Sequence, residues 1–303
     1  MVPAVIETEN LTKRYGDARG IEGVSLRVEP GEVFGFLGPN GAGKSSPIRT
    51  LLDLLHPTSG SARLFGLDSR RDSSAIRARL GNLPGDFAYD ERLTGGELLE
   101  FFAELRGLDG LGRAPELARR FEANLGRPLG KLSRGNRQKI GLIQAIFHDP
   151  ELLILDEPTT GLDPLMQEEF LAVVAEERER GCTVFLSSHD LDEVERVCDR
   201  VGIIRQGRLV AVERMSDLTG RAFRHVSLEF DSPVAAEEFA SIPGVSGLER
   251  AGNRISFRAQ GELDAVVKAA ARHTLVDIEL THPSLEEIFL TFYGEHRDDD
   301  GNR

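Results

Sequence analysis

The stretch GPNGAGKSS, Gly38 to Ser46, sits between a short apolar run, EVFGFL at Glu32 to Leu37, and IRTLLDLL at Ile48 to Leu55, whose apolar residues recur at helical spacing. A buried strand passing through a glycine turn into a helix N-terminus restricts the chain to an α/β fold whose turn faces an anion. Gly38, Gly43, Lys44 and Ser45 fit G-x-x-x-x-G-K-[ST], with Pro39, Asn40, Gly41 and Ala42 filling the loop and Ser46 following it. Glycines let successive N–H groups converge on phosphate oxygens. Lys44 is placed for β- and γ-phosphates, and the Ser45 hydroxyl for Mg2+. Pro47 falls in the first helical turn, disfavours helical angles at Ser46, and predicts a slightly distorted helix start with nucleotide binding retained.

A phosphate cradle needs carboxylates. ELLILDEP, Glu151 to Pro158, reads as a strand buried on both faces that ends in Asp156 and Glu157. Asp156 suits the magnesium shell, and Glu157 suits the proton of an attacking water. The same pair would also serve to cap a following helix. A third apolar strand, Thr183 to Ser187, runs up to His189. That is where chemistry sits in open α/β sheets, so His189 is a candidate for contact with the γ-phosphate and the water. A histidine there would otherwise be a neighbour of a helix cap.

Composition closes off other classes. The 303 residues suffice for one large domain plus a smaller one. With 37 Lys and Arg against 50 Asp and Glu, and no long basic cluster, nucleic acid is excluded as a partner. Cys182 and Cys198 lie outside any C-x-x-C spacing, so neither a zinc site nor a redox pair is signalled. No apolar run reaches the ~20 residues of a membrane span. The longest, Ile140 to Leu155, is broken by His148, Asp149 and Pro150, and MVPAVIETENLTKRYG lacks the pattern of a signal peptide. The expectation is a soluble, intracellular chain.

The run LSRGNRQKIGLIQAIFHDPELLILDEPTTGLDPL, Leu132 to Leu165, resembles the nucleotide-binding subunits of ATP-binding cassette (ABC) transporters, and the resemblance extends over about residues 4 to 220. It implies a P-loop NTPase ABC ATPase domain binding ATP and Mg2+. Its signature motif, usually LSGGQ, is matched at Ser133, Arg134, Gly135 and Asn136, with arginine and asparagine as departures. Gly161, Leu162 and Asp163 match the dimer loop, His189 the switch histidine, and Tyr15 the aromatic residue that stacks on adenine. A third departure is Gly85, which follows Pro84 where the family usually has glutamine. The resemblance further implies that the signature caps the γ-phosphate of a partner subunit, with two ATP molecules held in a homodimer or a paired ATPase. A separate membrane-spanning permease would be driven from the cytoplasmic face of the cell membrane. Departures of this kind, with a C-terminal appendage, point to the exporter branch and to drug or antibiotic efflux.

LTGGELLEFFAELRGL, Leu93 to Leu108, has helical spacing with Thr94 as cap and Glu97 three residues on. In the family this segment meets the permease. Asp86 to Tyr89, Phe101 and Phe102 are candidates for that contact, though core packing explains the phenylalanines equally. Beyond the strand-like VGIIRQGRLVAV, residues 221 to 281 read strand, helix, strand, strand, helix, strand, a small α+β domain of ferredoxin-like type. The expected layout is an ABC ATPase domain at 1–220 with a helical subdomain at about 86–150, an accessory domain at 221–293, and a disordered acidic tail at 294–303. Two other classes share parts of this pattern: a soluble ABC ATPase of translation or DNA repair, and a nucleotide kinase.

Overall fold

The structure is a computed structural model and describes residues 3–16, 18–86, 89–221, 223–281, 283 and 287. The tail at 294–303, and Phe87 and Ala88 of the candidate permease contact, lie outside the described residues. The chain divides into two compact units, Met1–Glu213 and Arg214–Arg303, a boundary seven residues ahead of the one read from composition.

The first unit opens with β1 (Ile6–Tyr15), β2 (Ala18–Val28) and β3 (Val33–Leu37), then α1 (Ser45–Leu51), β4 (Ser59–Leu64), β5 (Leu67–Asp68), α2 (Ser73–Arg79) and β6 (Leu80–Leu83). It continues with α3 (Gly95–Leu105), α4 (Ala114–Arg120), α5 (Arg134–Ile146), β7 (Leu152–Asp156), α6 (Pro164–Glu179), β8 (Thr183–Ser188), α7 (Leu191–Val197), β9 (Arg200–Arg205) and β10 (Arg208–Arg214). An antiparallel sheet runs β2-β1-β4-β5, and a second sheet runs β10-β9-β3-β8-β7-β6. From β9 to β6 its strands are parallel.

β3, β7 and β8 are buried at every residue, as continuous apolar runs covered on both faces should be. Phe34, Phe36 and Phe185 belong to a core that also takes in Ile6, Leu11, Val28 and Leu64 of the antiparallel sheet. Phe34 and Phe185 stack at 5.7 Å between ring centroids. The register then places the chemistry. Leu37 is opposite Ser188, and Asp156 is opposite Ser187, so Gly38, Glu157 and His189 leave the sheet side by side at its carboxyl edge.

α3 begins as its sequence predicts: Thr94 Oγ1 accepts from Glu97 N at 3.2 Å while the Glu97 carboxylate accepts from Thr94 N at 2.8 Å, a complete capping box. Leu98 of α3 and Ile140 of α5 share a small core with Leu129 and Leu132. α1 runs unbroken through Pro47, and Ser46 is helical despite the proline after it. The expected distortion gives way because Pro47 is the third helical residue, where an N–H has no intrahelical partner to lose. The apolar pattern continues to Leu55, but the helix stops at Leu51, and Asp53 turns left-handed at φ 55°.

The second unit holds α8 (Met215–Arg221), β11 (Phe223–Phe230), α9 (Glu237–Ala240), β12 (Val245–Ala251), β13 (Arg254–Gln260), α10 (Asp264–Ala270) and β14 (Leu275–Thr281). Its antiparallel sheet has the order β12-β13-β11-β14, the ferredoxin-like arrangement, over a core that includes Leu228, Phe239, Phe257 and Val266.

Candidate functional site

The loop Gly38 to Ser46 crosses from β3 to α1 with Gly41 and Gly43 at φ 78° and 101°, angles that a side chain would strain. Gly207 N donates to Ala42 O at 2.8 Å, and Gly38 N to Ser188 O at 3.2 Å, which ties the loop to the turn between β9 and β10 and to the end of β8. Lys44 is buried and folds back over the loop, donating to the carbonyls of Gly38 and, at 3.3 Å, Pro39. Its Nζ also lies 2.9 Å from Glu157 Oε1, off the hydrogen-bonding direction, as an ion pair.

Glu157 is the centre of the site. Its other oxygen, Oε2, is 2.6 Å from His189 Nδ1, so one carboxylate touches both the lysine of the cradle and the candidate switch histidine. Its backbone is left-handed at φ 51°, a conformation costing about 1–3 kcal/mol for a residue with a side chain. Neighbours hold it there. Glu157 N donates to Ser187 O and Oγ at 3.2 and 3.1 Å, and the Gln138 amide of α5 donates to the carbonyls of Glu157 and Pro158 at 3.2 and 2.9 Å. Ser187 Oγ donates in turn to Asp156 Oδ1 at 2.6 Å.

Asp156 is buried, and a Cβ on Gly85 would come within 3.1 Å of its Oδ2. The residue that departs from the family pattern therefore lies against the candidate metal carboxylate. Among the described residues no group of three or more His, Cys, Asp and Glu could hold a metal ion. Asp156 with the Ser45 hydroxyl fits a hard cation that takes most of its oxygens from phosphate and water, as magnesium does.

Tyr15, 42% exposed at the end of β1, reaches the same loop with its hydroxyl 3.5 Å from Ser46 Oγ. Ser133 caps α5, its Oγ accepting from Asn136 N at 3.2 Å, while Asn136 Oδ1 accepts from Asn124 N at 3.0 Å. Arg134 begins the helix and is exposed. A Cβ on Gly135 would sit 2.5 Å from Gly161 O, so the signature and the loop at 161–163 touch within one chain, and glycine permits that approach. Leu162 is buried and Asp163 caps α6, accepting from Met166 N at 3.1 Å; both have local work as well as any role between subunits.

Sequence reasoning passed over Ser187, Gln138 and Glu193. Ser187 was legible as the polar end of an apolar strand. Gln138 is a polar residue inside an otherwise buried helix face. Glu193 is a buried carboxyl of α7, bonded to Ser188 and Thr159.

The family model described as ABC transporter matches residues 21–160. Over 311 residues, 98% of each chain, the protein is 34% identical to the daunorubicin resistance ATP-binding protein DrrA3 of Streptomyces coeruleorubidus. The chain belongs to the ABC transporter ATP-binding family. Within it, the bacitracin transport ATP-binding protein BcrA of Enterococcus faecalis is 36% identical over 238 residues, 77% of each chain. A solved ATP binding subunit of an ABC transporter superposes at TM-score 0.66 with 32% identity, covering 71% of this chain and 91% of that one. The dimeric ATP-binding cassette MJ0796 bound to ADP and Pi, 22% identical at TM-score 0.63 over 69% of this chain and 98% of that one, shares the fold. This ABC subunit binds and hydrolyses ATP to drive export with a membrane-spanning partner. The alternatives in translation, DNA repair or nucleotide phosphorylation are not favoured. No described helix is long and apolar enough to cross a membrane.

Proposed function

We propose that hydrolysis runs through Lys44, Glu157 and His189, and that the observation carrying this reading is the single Glu157 carboxylate in contact with both of the others. Phosphate oxygens of ATP draw Lys44 from the Gly38 and Pro39 carbonyls, and Tyr15 stacks on adenine. With Lys44 turned to phosphate, Glu157 takes the proton of a water whose oxygen bonds to the γ-phosphorus as the bond to ADP breaks. His189 has Nδ1 engaged by Glu157, which leaves Nε2 for the γ-phosphate. Ser45 and Asp156 would hold Mg2+, which would supply positive charge against the phosphates.

A second copy of the chain, or a paired ATPase subunit, completes the site with Ser133 to Asn136. The capped N-terminus of α5 is an anion site, and its own P-loop already encloses the phosphates. The permease docks in an open cavity of about 720 Å³ lined by Leu52, Leu54, Arg77, Tyr89, Phe102 and Leu105. Leu54 and Leu105 expose 64% and 69% of their surface, which offers apolar side chains to a partner at this cavity. Such docking places the chain at the inner face of the cell membrane. The names of the relatives support an exported compound of the daunorubicin or bacitracin kind, bound by the permease.

Glu157→Gln tests the chemistry. It is expected to bind ATP as the wild type does and to lose about 10²–10⁴-fold in turnover, accumulating as an ATP-dependent dimer. Turnover near wild type, with only monomer eluting in ATP, would remove the assignment.

A further inference from the structure

The hydrolytic scheme leaves two buried acids unused; Glu177 is paired with Arg113, and Glu193 is not paired with any cation among the described residues. Glu193, in the first turn of α7, is 7% exposed. Its Oε2 accepts from Ser188 Oγ at 2.7 Å and from Thr159 Oγ1 at 3.2 Å. Its Oε1 is buried and has no hydrogen-bond partner among the described residues. Ser188 is the residue before His189, and Thr159 lies between Glu157 and Gly161. One carboxyl oxygen therefore pins together the two loops that carry the hydrolytic pair and the segment expected to meet a partner subunit. Ser188 is itself fixed, its Oγ accepting from Asp190 N at 3.0 Å.

We propose that Glu193 is a positioning residue for ATP hydrolysis: by locking Thr159 to Ser188 it holds His189 and Glu157 in register with the loop at Gly161. This rests on reading Glu157 and His189 as the hydrolytic pair. The mechanism is mechanical. The ends of β7 and β8 are already tied through Ser187, and removal of Glu193 frees the loop at Thr159 from Ser188.

The surroundings hold the Glu193 carboxyl protonated above the ordinary carboxylate range. The charged groups acting on Glu193 are Asp190 on its own helix and Glu157 on the loop after β7, both acidic. Cys198, at the end of the same helix, is held protonated by its own burial. Burial above all pushes the Glu193 carboxyl up to about 7, with Asp190 and Glu157 adding to the rise and the Ser188 and Thr159 hydroxyls opposing it. A raised carboxyl favours the protonated folded state. Its contribution to stability is full below the ordinary carboxylate range, falls as pH climbs from there to about 7, and is gone above it. Ionisation strengthens the two hydroxyl bonds to Oε2 while it sets a third carboxylate near Asp190 and Glu157, so the lock holds in either protonation state.

The test compares steady-state ATP hydrolysis by full-length wild type, Glu193→Ala and Glu193→Gln, with ATP-analogue binding measured alongside. Glu193→Ala is expected to lose about 10- to 100-fold in kcat while KM for ATP and analogue binding stay within about twofold, the pattern of misplaced groups in an intact cradle. Glu193→Gln keeps an oxygen for both hydroxyls. It is expected to restore kcat to within about threefold of wild type. Unchanged kcat in Glu193→Ala, a loss that appears in KM or analogue binding instead, or a loss in Glu193→Gln as deep as in Glu193→Ala would each overturn the proposal. Where Glu193→Ala fails to fold, Thr159→Val, which removes one of the two hydroxyls, decides by the same split of kcat from KM. Glu157→Gln is measured beside them: full activity in that variant defeats the hydrolytic pair itself, whereas its inactivity with an indifferent Glu193→Ala defeats this inference alone.

Discussion

The parallel sheet of the first unit and the antiparallel sheet of the second are built from similar apolar residues, yet only one carries chemistry. β3, β7 and β8 are buried along their whole length, whereas β11 alternates between core and surface, and β14 leaves Val276, Ile278 and Leu280 exposed. Burial on both faces fixes where a strand ends. That fixity lets Glu157 be held in a left-handed backbone with its carboxylate between Lys44 and His189. A half-solvated sheet gives its strand ends no such restraint. Placement, more than residue type, separates the two sheets.

The largest effect expected from breaking this comparison is on stability. Phe185→Ala opens a cavity between the two sheets of the first unit and is expected to cost about 3–5 kcal/mol, against under about 1 kcal/mol for Ile278→Thr on the exposed strand of the second unit. Urea unfolding followed by circular dichroism measures both, and equal costs would erase the contrast. The smallest effect concerns Pro47. Because α1 runs through it without loss of a helical bond, Pro47→Thr is expected to lower stability by about 0.4–1 kcal/mol through added freedom in the unfolded chain. A raised melting temperature with tighter ATP binding would restore the distortion that the sequence suggested.

Much of the site was legible because its motifs are local. GPNGAGKSS, LDEP and the strand before His189 each state a residue type and a position at the end of a strand. The α3 cap and the strand order of the second unit were equally local. What the sequence withheld is long-range: the Lys44–Glu157 ion pair spans over a hundred residues, and no pattern announces that a carbonyl at Gly161 packs against Gly135. Gly85 read only as a departure, standing where the family usually has glutamine. It faces Asp156, and a Cβ there would meet Oδ2 at 3.1 Å, so a side chain would ask the carboxylate to give by a few tenths of an ångström. Glu193 was hidden for another reason. In LDEVERV it looks like one more acid on a solvated helix, and only the packing of α7 buries it.

The composite site between two chains is the step on which the transport reading depends, and mixed dimers test it most directly. Gly135→Asp is a poor probe, because any side chain there strikes the Gly161 carbonyl. Ser133→Asp is cleaner: aspartate also caps a helix, so α5 is kept while a charge faces the partner's γ-phosphate. Paired with Lys44→Ala, each homodimer is expected to be nearly inactive. In the mixed dimer one site takes both lesions, and the other joins an intact P-loop to an intact signature. The measurement is ATPase activity of co-expressed, doubly tagged Lys44→Ala and Ser133→Asp dimers in the presence of the permease. Recovery of a substantial fraction of wild-type turnover is the predicted result; activity that stays at the level of the single variants would contradict the shared site.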